Sequence, residues 1–304
     1  AGGRMLPSDF AEGRIIHLLS KLYGAEKALL SINLGSSATT LSLGFGNHLQ
    51  TKVYPHLGMG LSVSELLSHT TAKNIARWLP ISASSQKIND YIYTKALYPN
   101  SIPATKEDLL IEQALGREAL RLAIESFSKE LPDDVPVLKK SLLPLFEVVL
   151  AGGSVLSNAP TFGQSLLILL DALQPAGITS LILDKNNLIP ALGTAADISS
   201  ILPVQALETG AFINLATVIA PVSSARYGTN ILKASLRRAD GSVSTEEIKQ
   251  GGFKVLPLRA GETADLNLQP LRRADIGLGA GKKLSTKVSG SALGIVLDGR
   301  GRPL

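Results

Sequence analysis

Three short segments rich in glycine, serine and threonine could do chemistry, and the first of them is INLGSSATTL. Adjacent backbone amides can form an anion-binding nest, so the amides of Gly35, Ser36 and Ser37 could converge on phosphate oxygens. The hydroxyls of the two serines, together with those of Thr39 and Thr40, could add hydrogen-bond donors. The same residue types are also common in ordinary tight hairpins. This segment alone is therefore compatible with a binding site or with a simple turn.

The second and third segments place small residues after further apolar runs. LAGGSVLSNAP contains Gly152, Gly153 and Ser154 directly after a predicted buried strand. DKNNLIPALGTAAD places Gly193 at a junction between a strand and a helix of small residues. No GxxxxGK[ST] motif is present, which argues against a Walker-type nucleotide triphosphatase.

The hydrophobic pattern predicts the elements that must position these segments. Residues 10–22 have helical spacing, with Phe10, Ile15, Leu18, Leu19 and Leu22 predicted on one side. The spacing predicts strands over 28–33, 39–45, 49–54, 148–151 and 178–184, and helices over 63–68, 72–79, 105–127, 162–173 and 191–196.

The pattern changes after about residue 215. Alternating segments follow one another across a D-G turn and several glycines, which is typical of short strands and hairpins. We therefore predict an α/β domain over residues 1–214 and a small all-β domain over residues 215–304.

Composition excludes several function classes. The chain has 304 residues, 45% hydrophobic and 18% charged, with a net charge of +5, and its basic residues are scattered, so we expect no nucleic-acid partner. Cysteine is absent, which removes disulfides and thiolate chemistry and suits a cytoplasmic protein. The four histidines have no metal-binding spacing, and the apolar runs are too short to cross a membrane.

The order of elements resembles the second half of the actin, hexokinase and heat-shock-70 ATPase fold, which is ribonuclease H-like. Within that group the chain is similar to the glutamate mutase L family, which is distinct from the mismatch-repair proteins also called MutL. The resemblance covers nearly the whole chain and is carried by INLGSSATTLSL, LYPNSIPATKEDLLIEQALGREALRLA, LAGGSVLSNAP and LLDALQPAGITSLILDKNNLIPALG.

The resemblance implies ATP or ADP with Mg²⁺ as ligand and a protein partner, an adenosylcobalamin-dependent mutase. It places the nucleotide at Asn33, Gly35, Ser36, Ser37, Thr39, Thr40, Gly152, Gly153, Ser154 and Gly193. Asn33 stands where the phosphate motif usually has aspartate, and an amide holds Mg²⁺ less well than a carboxylate. The first half of the fold is expected to precede residue 1. We therefore expect half of a nucleotide cleft, and no hydrolysis by this chain alone.

Two functions remain open. The chain could be a nucleotide-binding, chaperone-like accessory of the mutase, as the retained Gly-Gly-Ser and Gly-Thr-Ala-Ala segments favour. It could instead be a catalytically degenerate actin-like scaffold, for example in a homo-oligomer. The presence of Asn33 in place of the usual aspartate favours this second function. Other candidate residues have more ordinary interpretations: a solvated helix face for Glu112 and Arg117, a cap or solvent contact for Asp171 and Asp184, a loop position for His56, and packing for Trp78.

Overall fold

The computed structural model describes residues 6–23, 27–131, 135, 143–196 and 198–302. The α-helices in this part of the chain are α1 (Ser8–Tyr23), α2 (Ala72–Ala76), α3 (Ser85–Leu97), α4 (Lys106–Ser128), α5 (Ser154–Ser157), α6 (Phe162–Leu173), α7 (Ile189–Ala195) and α8 (Ile201–Glu208). The strands are β1 (Ala28–Leu34), β2 (Thr39–Phe45), β3 (His48–Tyr54), β4 (Phe146–Gly152), β5 (Gly177–Leu183), β6 (Ile213–Ala220), β7 (Asn230–Arg238), β8 (Val243–Lys249), β9 (Phe253–Leu256), β10 (Thr263–Pro270), β11 (Leu284–Ser289) and β12 (Ile295–Asp298). Short 3₁₀ helices span Pro55–Leu57 and Val63–Ser68.

The larger sheet has the strand order β3-β2-β1-β4-β5-β6-β12-β9. Strand β2 is antiparallel to β1 and β3, while β4 runs parallel to both β1 and β5. The order 3-2-1-4-5 with an antiparallel second strand is the ribonuclease H-like arrangement on which actin-like domains are built. The predicted α/β, actin-like fold class is confirmed.

Helices cover both faces of this sheet. On one face, the apolar side chains of β1 at Leu30, Ile32 and Leu34 join the main hydrophobic core together with α4 and α6. On the other face, Leu29 packs with Ile16 of α1 and with α7. Because side chains alternate along a strand, consecutive residues of β1 pack against the helices on opposite faces of the sheet.

The helix boundaries follow local capping chemistry. Thr105 accepts a hydrogen bond from the amide of Asp108, whose carboxylate accepts from the amide of Thr105, and this capping box starts α4 where the helix was predicted to begin. Thr161 and Gln164 form a second capping box at α6. Each N-cap is worth about 1 kcal/mol, and the two capping boxes fix where α4 and α6 begin.

Some details of the prediction were wrong. The buried face of α1 is formed by Ile15, Ile16 and Leu19, whereas Phe10 and Leu22 are more than half exposed. Helices α3 and α8 were not predicted, because exposed apolar residues blur their periodicity. Tyr93 and Leu97 are exposed in α3, and Ile201 and Leu202 are exposed in α8.

The C-terminal strands form a second sheet of four antiparallel strands, in the order β11-β10-β7-β8. Strand β10 alternates strictly between exposed and buried positions, because one of its faces packs on a separate apolar cluster and the other meets solvent. Strands β9 and β12 instead extend the larger sheet beyond β6. The predicted boundary at residue 214 falls within β6, so the division into two domains stays a prediction.

Candidate functional site

The Gly-Ser-Ser segment forms the turn between β1 and β2, over residues 35–38. Its carbonyl groups bond to the segment 57–62: the amides of Met59 and Gly60 donate to Gly35 and Ser36 at 2.9 and 2.8 Å, and Ser62 Oγ donates to Ser37 at 2.9 Å. Among the described residues, no acceptor takes the amides of Ser36 and Ser37. Both residues are exposed, so these two amides are open to solvent or to a ligand at the end of β1.

Two glycines of the LGMG segment allow this close approach. A Cβ on Gly58 would lie 2.5 Å from the carbonyl carbon of Ser37 and 2.6 Å from the oxygen of Ser36, well inside van der Waals contact. A Cβ on Gly60 would overlap Ser36 Oγ. Glycine is therefore needed at both positions, because the segment 57–62 packs directly against the turn over residues 35–38.

The Gly-Gly-Ser segment lies at the same edge of the sheet. Gly152 ends β4 and is the register partner of Asn33 in the neighbouring parallel strand. Gly153 has φ of 101°, and a Cβ there would overlap the carbonyl oxygen of Leu34, so only glycine fits. Gly152 has more room, since its Cβ would lie 3.6 Å from Asp184. The first two predicted segments are therefore adjacent in space.

A cavity of about 480 Å³ opens beside these two turns. Ser36 and Ser154 line it, one from each turn, and apolar side chains such as Met59 and Val155 form part of its wall. The charged side chains at this wall, Lys95 and Glu112, come from α3 and α4, and its amide side chains are Asn100, Gln113 and Asn158. The cavity is thus mainly apolar, with a few converging polar groups, as is usual for small-molecule sites.

Asn33 lies on the other face of the sheet and is held by a residue that the motifs did not indicate. Its Nδ2 donates to Oε1 of Glu12 at 2.6 Å, and Glu12 is only 1% exposed. Burial raises the pKa of Glu12 to about 7; the bond from Asn33 opposes this rise, and the charges of Asp9 and Asp184 add to it. Glu12 Oε2 has no partner among the described residues.

The sequence contained a signal for Glu12. It lies on the buried face of α1, three and four residues before Ile15 and Ile16, where an apolar residue would be expected. An acidic residue in such a stripe needs a partner, and here the partner is Asn33.

The remaining predicted residues are placed around these groups. Thr40 is the register partner of Asn33 in β2, while Thr39 Oγ1 donates to the carbonyl of Leu57 at 2.6 Å. Gly193 lies where α7 crosses α1, and a Cβ there would overlap the carbonyl of Ala11. Its geometry explains a close helix crossing, and a contact between Gly193 and nucleotide stays a prediction.

The expectation of a solvated face on α4 was wrong. Glu112 and Arg117 are each 9% exposed, because α3 and α6 pack on either side of them. Lys95 Nζ of α3 lies 2.9 Å from Glu112, and Arg117 Nε donates to Asp171 of α6 at 2.8 Å.

The other candidate residues named from the sequence, Asp184, Trp78 and His56, make structural contacts. Asp184 accepts hydrogen bonds from the amides of Leu188 and Ile189 and so holds the start of α7, as expected for a capping carboxylate. Trp78 Nε1 donates at 2.8 Å to Glu118, which is completely buried. His56 lies in the first 3₁₀ helix with its ring centroid 4.4 Å from that of His69.

Among the described residues, no group of three or more histidine, aspartate or glutamate side chains could hold a metal ion. In the same residues, no helix is both long and apolar enough to cross a membrane.

None of the curated protein sequences matches this chain. Among solved structures, the PilM-PilN type IV pilus biogenesis complex matches with 14% sequence identity and a TM-score of 0.33. That match covers 66% of this chain and 52% of the other, so it spans about half of that protein's length. The family model described as MutL protein matches residues 3–210, more than half of the sequence. The chain therefore belongs to the MutL (glutamate mutase L) family.

Proposed function

We propose that this chain is a nucleotide-binding, chaperone-like accessory protein that assists an adenosylcobalamin-dependent mutase. One observation carries the nucleotide part: the cavity of about 480 Å³ is bordered both by the Gly-Ser-Ser turn and by the Gly-Gly-Ser junction. The first turn offers free backbone donors, and the cavity beside it offers an apolar wall. A ligand with an anionic end and a flat, mainly apolar end would use both.

ATP or ADP has these two ends. Phosphate oxygens would accept from the amides of Ser36 and Ser37 and from the Ser154 hydroxyl, while the nucleoside would occupy the cavity. Mg²⁺ would be held mainly by the phosphates and by water, as it usually is in such sites. From the protein, Asn33 offers an amide oxygen two residues before the Gly-Ser-Ser turn, on the face of the sheet where Glu12 lies.

A degenerate, actin-like scaffold is the second candidate, and the state of Asn33 favours it. The Nδ2 of Asn33 is engaged with Glu12, and a Glu12 with a pKa of about 7 carries its proton for much of the time at neutral pH. Among the described residues, Asn33 and Glu12 then supply no permanently charged carboxylate at this end of β1. Such a protein would act through its surfaces, for example as a homo-oligomer.

Calorimetric titration of ATP and ADP, each with Mg²⁺, separates the two candidates. We expect binding by this chain or by a version extended upstream, and we expect Ser154→Phe to abolish it, because Ser154 is exposed at the cavity wall. Ser82→Phe is the matched control, since Ser82 is exposed and is not among the cavity residues. If neither length of protein binds nucleotide at millimolar concentration, the scaffold is the better explanation.

The mutase partner needs its own test. A cobalamin-dependent mutase carrying an inactivated cobalamin would be incubated with the protein and ATP, and recovery of its activity would be followed. Recovery that requires ATP supports the accessory role, and no recovery with any nucleotide contradicts it. We expect both proteins to meet in the cytoplasm.

A further inference from the structure

Strand β11 is an uncovered edge of the smaller sheet. It spans Leu284–Ser289, pairs with β10 on one side only, and makes no further backbone hydrogen bond to the described residues. In an antiparallel strand, every second residue directs its amide and carbonyl groups away from the paired strand. The outer side of β11 therefore presents a row of unpaired backbone donors and acceptors that another strand could satisfy.

The other strands at the sheet edges differ from β11. Strand β3 is joined to Glu130 by the side chains of Gln50 and Lys52. Strand β8 is joined to β9 by the ion pair of Glu246 with Lys254, and β9 itself has only four residues. In the described part of the chain, no side chain of β11 makes a hydrogen bond or an ion pair to another element.

The side chains at this edge divide into two faces. Leu284 and Val288 are half-buried and pack against the apolar cluster beneath the sheet. Lys283 and Lys287 are exposed, and Lys283 borders a groove on the outer face together with Ser285. Neither ammonium group has a partner among the described residues. The edge thus offers positive charge on its outer face and incompletely covered apolar side chains on its inner face.

We infer that the edge of β11 binds an extended segment of a partner protein in which acidic residues alternate with apolar residues. The added strand satisfies the outward backbone groups of β11. Its acidic side chains lie beside Lys283 and Lys287, and its apolar side chains cover the exposed parts of Leu284 and Val288. The inference is independent of the nucleotide site, because β11 belongs to the smaller sheet and lies beyond residues 3–210, over which the family model matches.

The charges favour an acidic partner over a second copy of this chain. Pairing two β11 edges would bring lysines together, and lysine on an edge strand is a common protection against self-pairing. The register partner of Lys287 in β10 is Asp265, yet no ion pair joins these two described residues. Lys287 therefore remains available to a carboxylate from another protein.

Fluorescence anisotropy with labelled peptides of eight residues tests the inference on the full chain. We expect a peptide of alternating glutamate and valine to bind, and a peptide of alternating lysine and valine not to bind. A third peptide has the glutamates in one block and the valines in another. We expect it to bind at least about 10-fold more weakly, because its acidic and apolar side chains cannot occupy separate faces of a strand.

Charge reversal locates the site on the protein. Lys283→Glu and Lys287→Glu together should weaken binding of the alternating peptide at least about 10-fold, and binding by the unaltered protein should weaken as salt is raised. Lys249→Glu is the matched control, because Lys249 is exposed at the end of β8, on the opposite edge of the same sheet. We expect this control variant to bind the peptide as the unaltered protein does.

Methylated peptides keep the test decisive without any change to the protein. Methylation of alternate backbone nitrogens removes the donors from one edge of the peptide. Strand addition requires that one alternate set abolishes binding when methylated and that the other set is tolerated. Tolerance of both sets, or equal binding of the alternating and block peptides, would overturn the inference.

Two further outcomes would also overturn the inference. One is a failure of the unaltered protein to bind the alternating peptide at millimolar concentration. The other is self-association that rises with protein concentration and is lost when Lys283 and Lys287 are both replaced by glutamate, which would assign this edge to a second copy of the chain.

Discussion

Replacing Glu12 by glutamine should stabilise the protein at neutral and alkaline pH. Glu12 is buried against Asn33, with Asp9 and Asp184 as the acidic neighbours that act on it. Burial raises its pKa from an ordinary value of 4.5 to about 7. The folded protein therefore binds a proton at Glu12 in a pH range where the unfolded chain has lost it.

The size and direction of the effect follow from this pKa. Each pKa unit corresponds to about 1.36 kcal/mol, so a rise from 4.5 to about 7 is equivalent to about 3 kcal/mol. The contribution of protonated Glu12 is fully present below about pH 4.5. It is lost progressively as the pH rises, because ionised Glu12 is costly to bury, and the loss is complete above about pH 7. Glutamine has no proton to lose and keeps the bond from Asn33.

Urea unfolding at a series of pH values would measure this. The free energy of unfolding of the Glu12→Gln variant, relative to the unaltered protein, should grow by about 3 kcal/mol between about pH 4.5 and pH 8. Glu208→Gln serves as control, because Glu208 is exposed on α8. A difference between the Glu12 variant and the unaltered protein that does not change with pH would refute the reasoning, since Glu12 would then titrate alike in both states.

Three further changes should alter stability in defined directions. Gly58→Ala should lower the free energy of unfolding by about 1–3 kcal/mol, because the added Cβ would lie 2.5 Å from the backbone of the turn. Gly163→Ala is the control and should not lower it, because the nearest atom to its Cβ would lie 3.8 Å away. Arg272→Gly should raise the free energy of unfolding by about 0.5–1 kcal/mol, because φ at Arg272 is 52°, which glycine adopts with less strain. A free energy of unfolding below that of the unaltered protein would contradict this. Trp78→Phe should cost about 1.5–3 kcal/mol by removing a donor to buried Glu118, and an unchanged melting temperature would exclude that role.

Burial alone would raise the pKa of Glu118, but hydrogen bonds from Arg121, Trp78 and Thr70 outweigh it and hold the pKa below its usual range. Glu118 thus differs from Glu12, although both carboxylates are buried. Among the described residues, Glu118 accepts from several donors, whereas Glu12 accepts only from Asn33. The number of donors around a buried carboxylate decides whether it is charged at neutral pH.

Local features of the fold could be predicted from the sequence because short-range chemistry determines them. The apolar run, the Gly-Ser-Ser turn and the second apolar run produced β1 and β2, and the capping box at Thr105 marked the start of α4. The requirement for glycine at 153 follows from its positive φ at the end of β4. Each of these depends on residues that are close in the chain.

The tertiary structure decided the chemistry between distant residues. The pairing of Glu12 with Asn33 depends on how α1 packs on the sheet, and the pairing of Lys95 with Glu112 depends on an α3 that was not predicted. The joining of β9 and β12 to the larger sheet is also a long-range choice, because each strand has only four residues and its own sequence does not specify a partner. The sequence by itself determined the turns that border the site, while the packing of α1, α3 and α4 determined which side chains face them, since burial and charge pairing arise only once the layers have closed.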